Sequence, residues 1–301
     1  MASIDVLFET ADLQLGDFWC PPGDAMWREE NSIGRGWHVV FPGTSVWITH
    51  EGDRPVVANP NHAVFYNDRQ AYRRDLISRE GDRCVFVIAG EPLVREILTS
   101  VGDRGAVLDH PVFGFSTGPL DRGTYFLIHR LARHLREARP EPLAVREGIY
   151  HMLWQTVLAA AGMRATGPQR RSTDRAHRDM VEAAKEILAL RLAEAVSLDR
   201  LAGELHVSPF HVAKVFRDRT GSTIHRYLVD LRLRTALRHL SASSGALARI
   251  ATELGFASHS HFTGSFRRSF GVPPSAVRTP ATALELEELT NFSEAKSLPR
   301  P

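Results

Sequence analysis

The sequence predicts an α+β chain: a β-rich first half followed by helices, then an all-helical second half. Three observations carry that reading. Short runs rich in Val, Ile, Phe, Tyr and Trp alternate with turn sequences to about residue 118. Two stretches with helical spacing of apolar residues then flank Pro140 and Pro142. Finally, Leu201-Ala202-x-Glu204-Leu205-x-Val207 returns 49 residues later as Ile250-Ala251-x-Glu253-Leu254-x-Phe256. Past the turn the offset becomes 50, so that Val212, Phe216 and Gly221 recur as Phe262, Phe266 and Gly271.

The expected strands are Trp37–Phe41, Ser45–His50, Val56–Ala58, His62–Tyr66, Tyr72–Ile77 and Cys84–Ala89. Between them lie Pro42-Gly43, Glu51-Gly52-Asp53, Asn59-Pro60-Asn61, Asn67-Asp68 and Glu80-Gly81-Asp82, all turn-forming. Many short strands at this spacing predict a small sandwich or barrel. Glu91–Val101 reads as a short helix, and Tyr125–Leu135 and Ile149–Ala160 as longer amphipathic ones. That pair suits a dimer interface or packing on the strands. The reading divides the chain into 1–163, a linker at 164–178, a helical domain at 179–280, and a mobile tail at 281–301.

In the helical domain, Asp179–Leu190 is amphipathic through Met180, Ala184, Ile187 and Leu188. Ser197 is placed to cap the next helix, and Ser208-Pro209 supplies a cap and a first-turn proline for the one after it. Thr223–Leu240 reads as one helix joining the two repeats, its Arg226, Arg232, Arg234 and Arg238 mostly solvated. Each repeat is then helix, tight turn, helix, the geometry that delivers a second helix to a DNA major groove. From Ser172 to Pro280 there are sixteen Lys and Arg against ten Asp and Glu, a local surplus fit for phosphates although the whole chain carries only +2.

The run from Ile250 to Ser275, with Gly255-Phe256, Phe262, Phe266-Arg267-Arg268 and Phe270-Gly271-Val272-Pro273-Pro274, resembles the signature of AraC/XylS-type transcriptional regulators. The resemblance extends from Met180 to Arg278. It implies two helix-turn-helix units on a rigid connecting helix, reading two successive major grooves of promoter DNA. Carried over by position, the base-facing residues are Phe210, Ala213 and Lys214, then His259, Ser260 and Thr263. His211, Arg217, His261, Arg267 and Arg268 complete the expected DNA-binding set. Gly264 stands where Lys214 has its counterpart and where many members carry arginine. The first unit is therefore expected to read sequence more sharply and the second to hold backbone through Arg267 and Arg268.

The resemblance also implies a cupin-like β-barrel sensor at residues 1–163, and Asn59-Pro60-Asn61-His62 with Asn67 and Tyr72 is similar to such domains. Trp37-His38-Val39-Val40 lacks the His-x-His pair of enzymatic cupins, so no catalytic role is expected. The alternative is a catalytic cupin-like barrel fused to an accessory DNA-binding domain. Trp19, Trp37 and Trp47 with Arg73 are candidates to line an effector pocket, or else are core. Cys20 and Cys84 are open to three readings: buried packing, a zinc or copper site with His38, His50 or His62, or a thiol redox switch. Two cysteines, the absence of a secretory leader pattern and the absence of a ~20-residue apolar run lead us to expect a cytoplasmic protein without a membrane role. Expected partners are promoter DNA, a small-molecule or metal effector, RNA polymerase if the protein activates, and a second copy in a homodimer.

Overall fold

A computed structural model describes residues 1–137, 142–164, 171–242 and 246–279; the expected tail at 281–301 lies outside these. The strands are β1 (Ser3–Glu9), β2 (Leu13–Cys20), β3 (Asn31–Ser32), β4 (Trp37–Pro42), β5 (Val46–His50), β6 (Val56–Ala58), β7 (His62–Tyr66), β8 (Ala71–Leu76), β9 (Asp82–Ala89) and β10 (Thr117–Pro119). They pair antiparallel in two sheets, one in the order β1-β2-β9-β4-β7-β10 and the other β3-β8-β5-β6. The two sheets share no ladder among the described residues, so the N-terminal domain is a two-sheet sandwich and not the closed barrel expected.

Period-two alternation divides the six-stranded sheet between two cores. Trp37, Val39 and Phe41 of β4, Val87 and Ala89 of β9 and Leu13 and Leu15 of β2 face helices. Val40, Val64 and Tyr66 face the smaller sheet, where they meet Val46, Ile48 and Tyr72. β1 and β2 escaped the sequence reading because Gly16 and Asp17 interrupt the apolar run. Gly16 is required there: a Cβ would sit 2.6 Å from the Phe86 ring and 2.8 Å from the Asp5 carbonyl.

The helices are α1 (Glu91–Ser100), α2 (Arg122–Glu137), α3 (Pro142–Arg164), α4 (Arg171–Leu190), α5 (Leu198–Glu204), α6 (Pro209–Thr220), α7 (Ile224–Ala242), α8 (Leu247–Glu253) and α9 (His259–Phe270). The expected linker at 164–178 is helical from residue 171 onward. Asp174 in this segment pairs with Arg178 at 2.7 Å and with Arg219 at the end of α6. The first two turns of α4 are thereby part of the helical domain.

The two domains are packed directly on one another. Buried Tyr125, Phe126, Leu127, Ile128, Leu131 and Ala132 of α2 join a core that runs from the six-stranded sheet to Leu233, Leu237, Phe266 and Phe270. Phe126 stacks on Phe270 at 5.2 Å between centroids. These occupied faces correct the suggestion that Tyr125–Leu135 offers a free dimer surface. Two of the arginines expected in solvent are likewise anchors. Arg234 is buried and donates to the carbonyls of Pro60 and Leu120, each at 2.6 Å. Arg238 pairs with Glu80 at 2.6 Å. Carbonyl groups at loop ends need donors, and the guanidinium fork supplies several at once. Of the four arginines on α7, Arg226 alone is exposed.

The sandwich buries neutral histidines, with a consequence for pH. Burial pushes His38 and His50 down to about 4. Above the unfolded value of ~6.5 both states are neutral; below it the unfolded chain takes up protons that the folded chain refuses. Stability is therefore full above that pH and falls by ~1.4 kcal/mol per unit for each histidine down to about 4. Urea midpoints across this window should show the decline, and His50→Phe, which keeps a ring against Tyr66, should make it shallower while the His38 part remains. A midpoint indifferent to pH in both proteins would contradict the assignment.

Candidate nucleic-acid interface

The two helical repeats coincide in local geometry as well as in sequence. Ser208 and Ser258 are N-caps whose hydroxyls accept from the backbone N–H of His211 and His261, at 3.2 and 3.1 Å. Gly221 and Gly271 end the two helices in the left-handed region, at φ of 68° and 79°, and donate to the carbonyls of Arg217 and Arg267. In the turns, Val207 N–H donates to Ala202 and Phe256 N–H to Ala251, at 3.0 and 2.9 Å. Ala202 and Ala251 are buried at the crossings between paired helices. The extra residue between the turn and the second cap, Ala257, accounts for the change of offset.

One position differs between the turns. Gly255 adopts φ of 75°, where a Cβ would lie 2.4 Å from the Ala193 carbonyl oxygen. His206 occupies the equivalent place in the first unit and is also left-handed, at φ of 55°. A side chain in this region is strained, whereas glycine enters it freely.

Phe216, Phe262 and Phe266 turn inward and are fully buried. The opposite face of α6 is open: Phe210 is 78% exposed, and His211, Lys214 and Arg217 are exposed beside it. On α9, His259, Ser260, His261, Arg267 and Arg268 are exposed. Ala213 and Thr263 are half-buried on the same two faces. An exposed phenylalanine at the start of a capped helix has no packing role within its own unit. Arg268 donates to Ser265 at 3.0 Å, and His259 lies 3.4 Å from the Thr263 hydroxyl. At Gly264 an added Cβ would approach only the end of Arg268, at 3.3 Å, so its lack of a side chain is not imposed by backbone packing.

The connecting helix sets the two units against one another through Arg232. Its guanidinium donates to Leu192 and Glu194 beside the first unit, at 2.7 and 2.6 Å, and to Gly255 in the turn of the second at 2.9 Å. This residue corrects the solvated reading, because three carbonyl acceptors converge on it. Its place off the apolar stripe of the sequence pattern concealed that role.

The N-terminal candidates are dispersed. Trp37 is core and donates to Pro111 at 2.8 Å; Trp47 donates to Glu186 of α4 at 2.9 Å; Trp19 lies under Arg83, 4.4 Å from the ring centre. They do not line one pocket, since successive strand residues point to opposite faces. Arg73 is exposed, while the buried Arg74 next to it pairs with Asp82 at 2.9 Å. His38 pairs in register with Ile88, four residues along β9 from Cys84 and ~13 Å away by strand rise. His62 sits in the domain junction, 3.2 Å from Asn59 and against Tyr227. Cys20 and Cys84 are free thiols pushed up by burial, Cys84 well above the usual thiol range. A thiol held protonated is a poor metal ligand, and no group of three or more His, Cys, Asp or Glu among the described residues is arranged to hold a metal. No helix there is long and apolar enough to cross a membrane.

Residues 201–279 match the family model of the helix-turn-helix domain. The chain is 28% identical over 159 residues to the HTH-type transcriptional activator RhaS of Pectobacterium carotovorum, covering 52% of this chain and 54% of that protein. It is 32% identical over 191 residues to the HTH-type transcriptional regulator GlxA of Rhizobium meliloti, covering 62% and 56%. The chain spans about half the length of these relatives. A solved AraC-type transcriptional regulator from Chromobacterium violaceum aligns with 36% of this chain and 94% of its own, at 24% identity and a TM-score of 0.33. Residues 201–279, which span the two repeats, are thus a helix-turn-helix domain.

Two outcomes follow from this geometry. His206→Gly relieves the left-handed strain, partly offset by a freer unfolded chain, and should stabilise the protein by ~0.5–1 kcal/mol in denaturant titration. Arg232→Met should leave binding to DNA bearing one half-site unchanged while weakening binding to DNA bearing both. Equal losses on the two DNAs would refute the alignment role.

Proposed function

We propose that this protein regulates transcription by binding promoter DNA through α6 and α9 in two successive major grooves, under control of an effector held by its N-terminal domain. The observation that carries this reading is the pair of identically capped helices, each presenting an open polar and basic face, fixed to one another by Arg232. Anionic backbone is met by Arg217, Arg267 and Arg268, whereas Phe210, Ala213 and Lys214 are placed for base edges. Because Gly264 offers no side chain, discrimination falls mainly to the first unit, as the sequence leads one to expect.

The N-terminal domain holds both units. The first is reached through α4, where Glu182 accepts from Val57 N–H at 2.7 Å and Glu186 from Trp47. The second is reached through α2, where Arg133 donates to Val277 at 2.6 Å and Phe126 stacks on Phe270. An effector that favours one sandwich conformation therefore has two contacts through which to favour one spacing of the reading helices. The space between the two sheets is the effector site in this reading.

The test is DNA binding by the full chain to sites selected from a random duplex pool. Lys214→Ala should relax specificity in one half-site by ~10- to 100-fold. Arg267→Ala should weaken all sequences alike and reduce the salt slope by about one charge. A chain that selects no sequence at all would be an architectural binder, and the regulatory reading would fail.

A further inference from the structure

Between the sheets lies a cavity of about 330 Å³, within the range that accepts a small organic ligand. Its walls are largely apolar, with Ile33, Val40, Phe86 and Ile88 among them. One end is polar, and its chemistry is specific. Arg74 is 3% exposed, donates to Asp82 at 2.9 Å and to the Tyr72 hydroxyl oxygen, and lies 4.7 Å from the Phe18 ring centre. Asp82 is buried with it, so the one cation facing the cavity already has its anion.

The other groups that line the cavity and can titrate are His38, Tyr66, Tyr72 and Cys84. All are uncharged near neutral pH: burial holds His38 at about 4, Tyr72 at about 12, and the Tyr66 and Cys84 groups well above their usual values. The lining is therefore electrically balanced without a ligand. A carboxylate entering it would lose its hydration with no free countercharge to replace the water. A neutral carbonyl or ether oxygen meets a different situation. The Tyr72 oxygen accepts from Arg74, so its own proton remains to be donated, and the buried Arg74 Nε is a second donor without a partner among the described residues.

We propose that the cavity binds an uncharged, mainly apolar molecule carrying one hydrogen-bond-accepting oxygen, and that the Arg74–Asp82 pair excludes the corresponding carboxylate. This replaces the carboxylate pairing that an unpartnered arginine on β8 would favour. It rests on the reading of the N-terminal domain as the effector-binding part of a regulator.

The probes are 2-acetylnaphthalene and 2-naphthoate, alike in size and ring and different in charge, titrated by calorimetry into the full chain without DNA at neutral pH. The ketone should bind saturably and at least ~10-fold tighter than the carboxylate. Asp82→Asn should narrow or reverse that preference. If that variant does not fold, Tyr72→Phe serves instead and should weaken the ketone while leaving unsubstituted naphthalene unchanged. Val40→Trp, which fills the cavity, should abolish binding of the ketone with the fold retained by circular dichroism. Equal or tighter binding of 2-naphthoate, no saturable ketone binding by the folded chain, or binding indifferent to Val40→Trp would overturn the proposal. Since no DNA is present, such a failure stands apart from the result of the DNA selection.

Discussion

The architecture depends on a charged side chain buried where the two domains meet. Arg234 lies on the helix that joins the two helix-turn-helix units, yet its guanidinium is spent on the carbonyls of Pro60 and Leu120 in the sandwich domain. Desolvating a guanidinium is unfavourable enough that such a group persists only where acceptors are fixed around it. The surrounding contacts meet that requirement. Asn59 donates to the Tyr227 hydroxyl at 2.8 Å, Asn61 donates to the Tyr227 carbonyl at 3.0 Å, and Arg122 pairs with Asp230 at 2.6 Å. The stretch from Asn59 to His62 is thus the seat of the connecting helix.

This junction explains why the sandwich touches both reading units and not one. The connecting helix is common to them, and a domain docked along it necessarily reaches α4 on one side and α9 on the other. Contacts of both kinds are polar as well as apolar: Glu182 receives an edge-strand N–H of β6 and is itself paired with Lys185 at 2.7 Å. Edge strands left open invite pairing with other chains, so α4 also protects the smaller sheet.

The sandwich has two faces with separate work. Alternation sends Trp37, Val39 and Phe41 to the helices and His38 and Val40 to the space between sheets. The strands that line this space on one face carry the helical core on the other. β1, β2 and β9 thus line the cavity and lie against α2, with no intervening layer. Cys84 lines the same cavity, and burial raises its thiol well above the usual range.

Much of the helical domain was determined by sequence alone, because its information is local. Ser208, Ser258, Gly221 and Gly271 act within a turn of their own helices, and the inward phenylalanines declare themselves by spacing. The exposed set from Phe210 to Arg217 and from His259 to Arg268 follows from the same periodicity. Tertiary structure decided what depends on distant partners. Arginine on a helix surface looks the same whether it meets water, as Arg226 does, or remote carbonyls, as Arg232 and Arg234 do. Strand composition shows aromatic residues but not the face each will take, so Trp19, Trp37 and Trp47 were separated only by register. Arg73 and Arg74 are neighbours in sequence and opposites in the sheet, and which of them lies buried beside Asp82 was fixed by the pairing of β8 with β5.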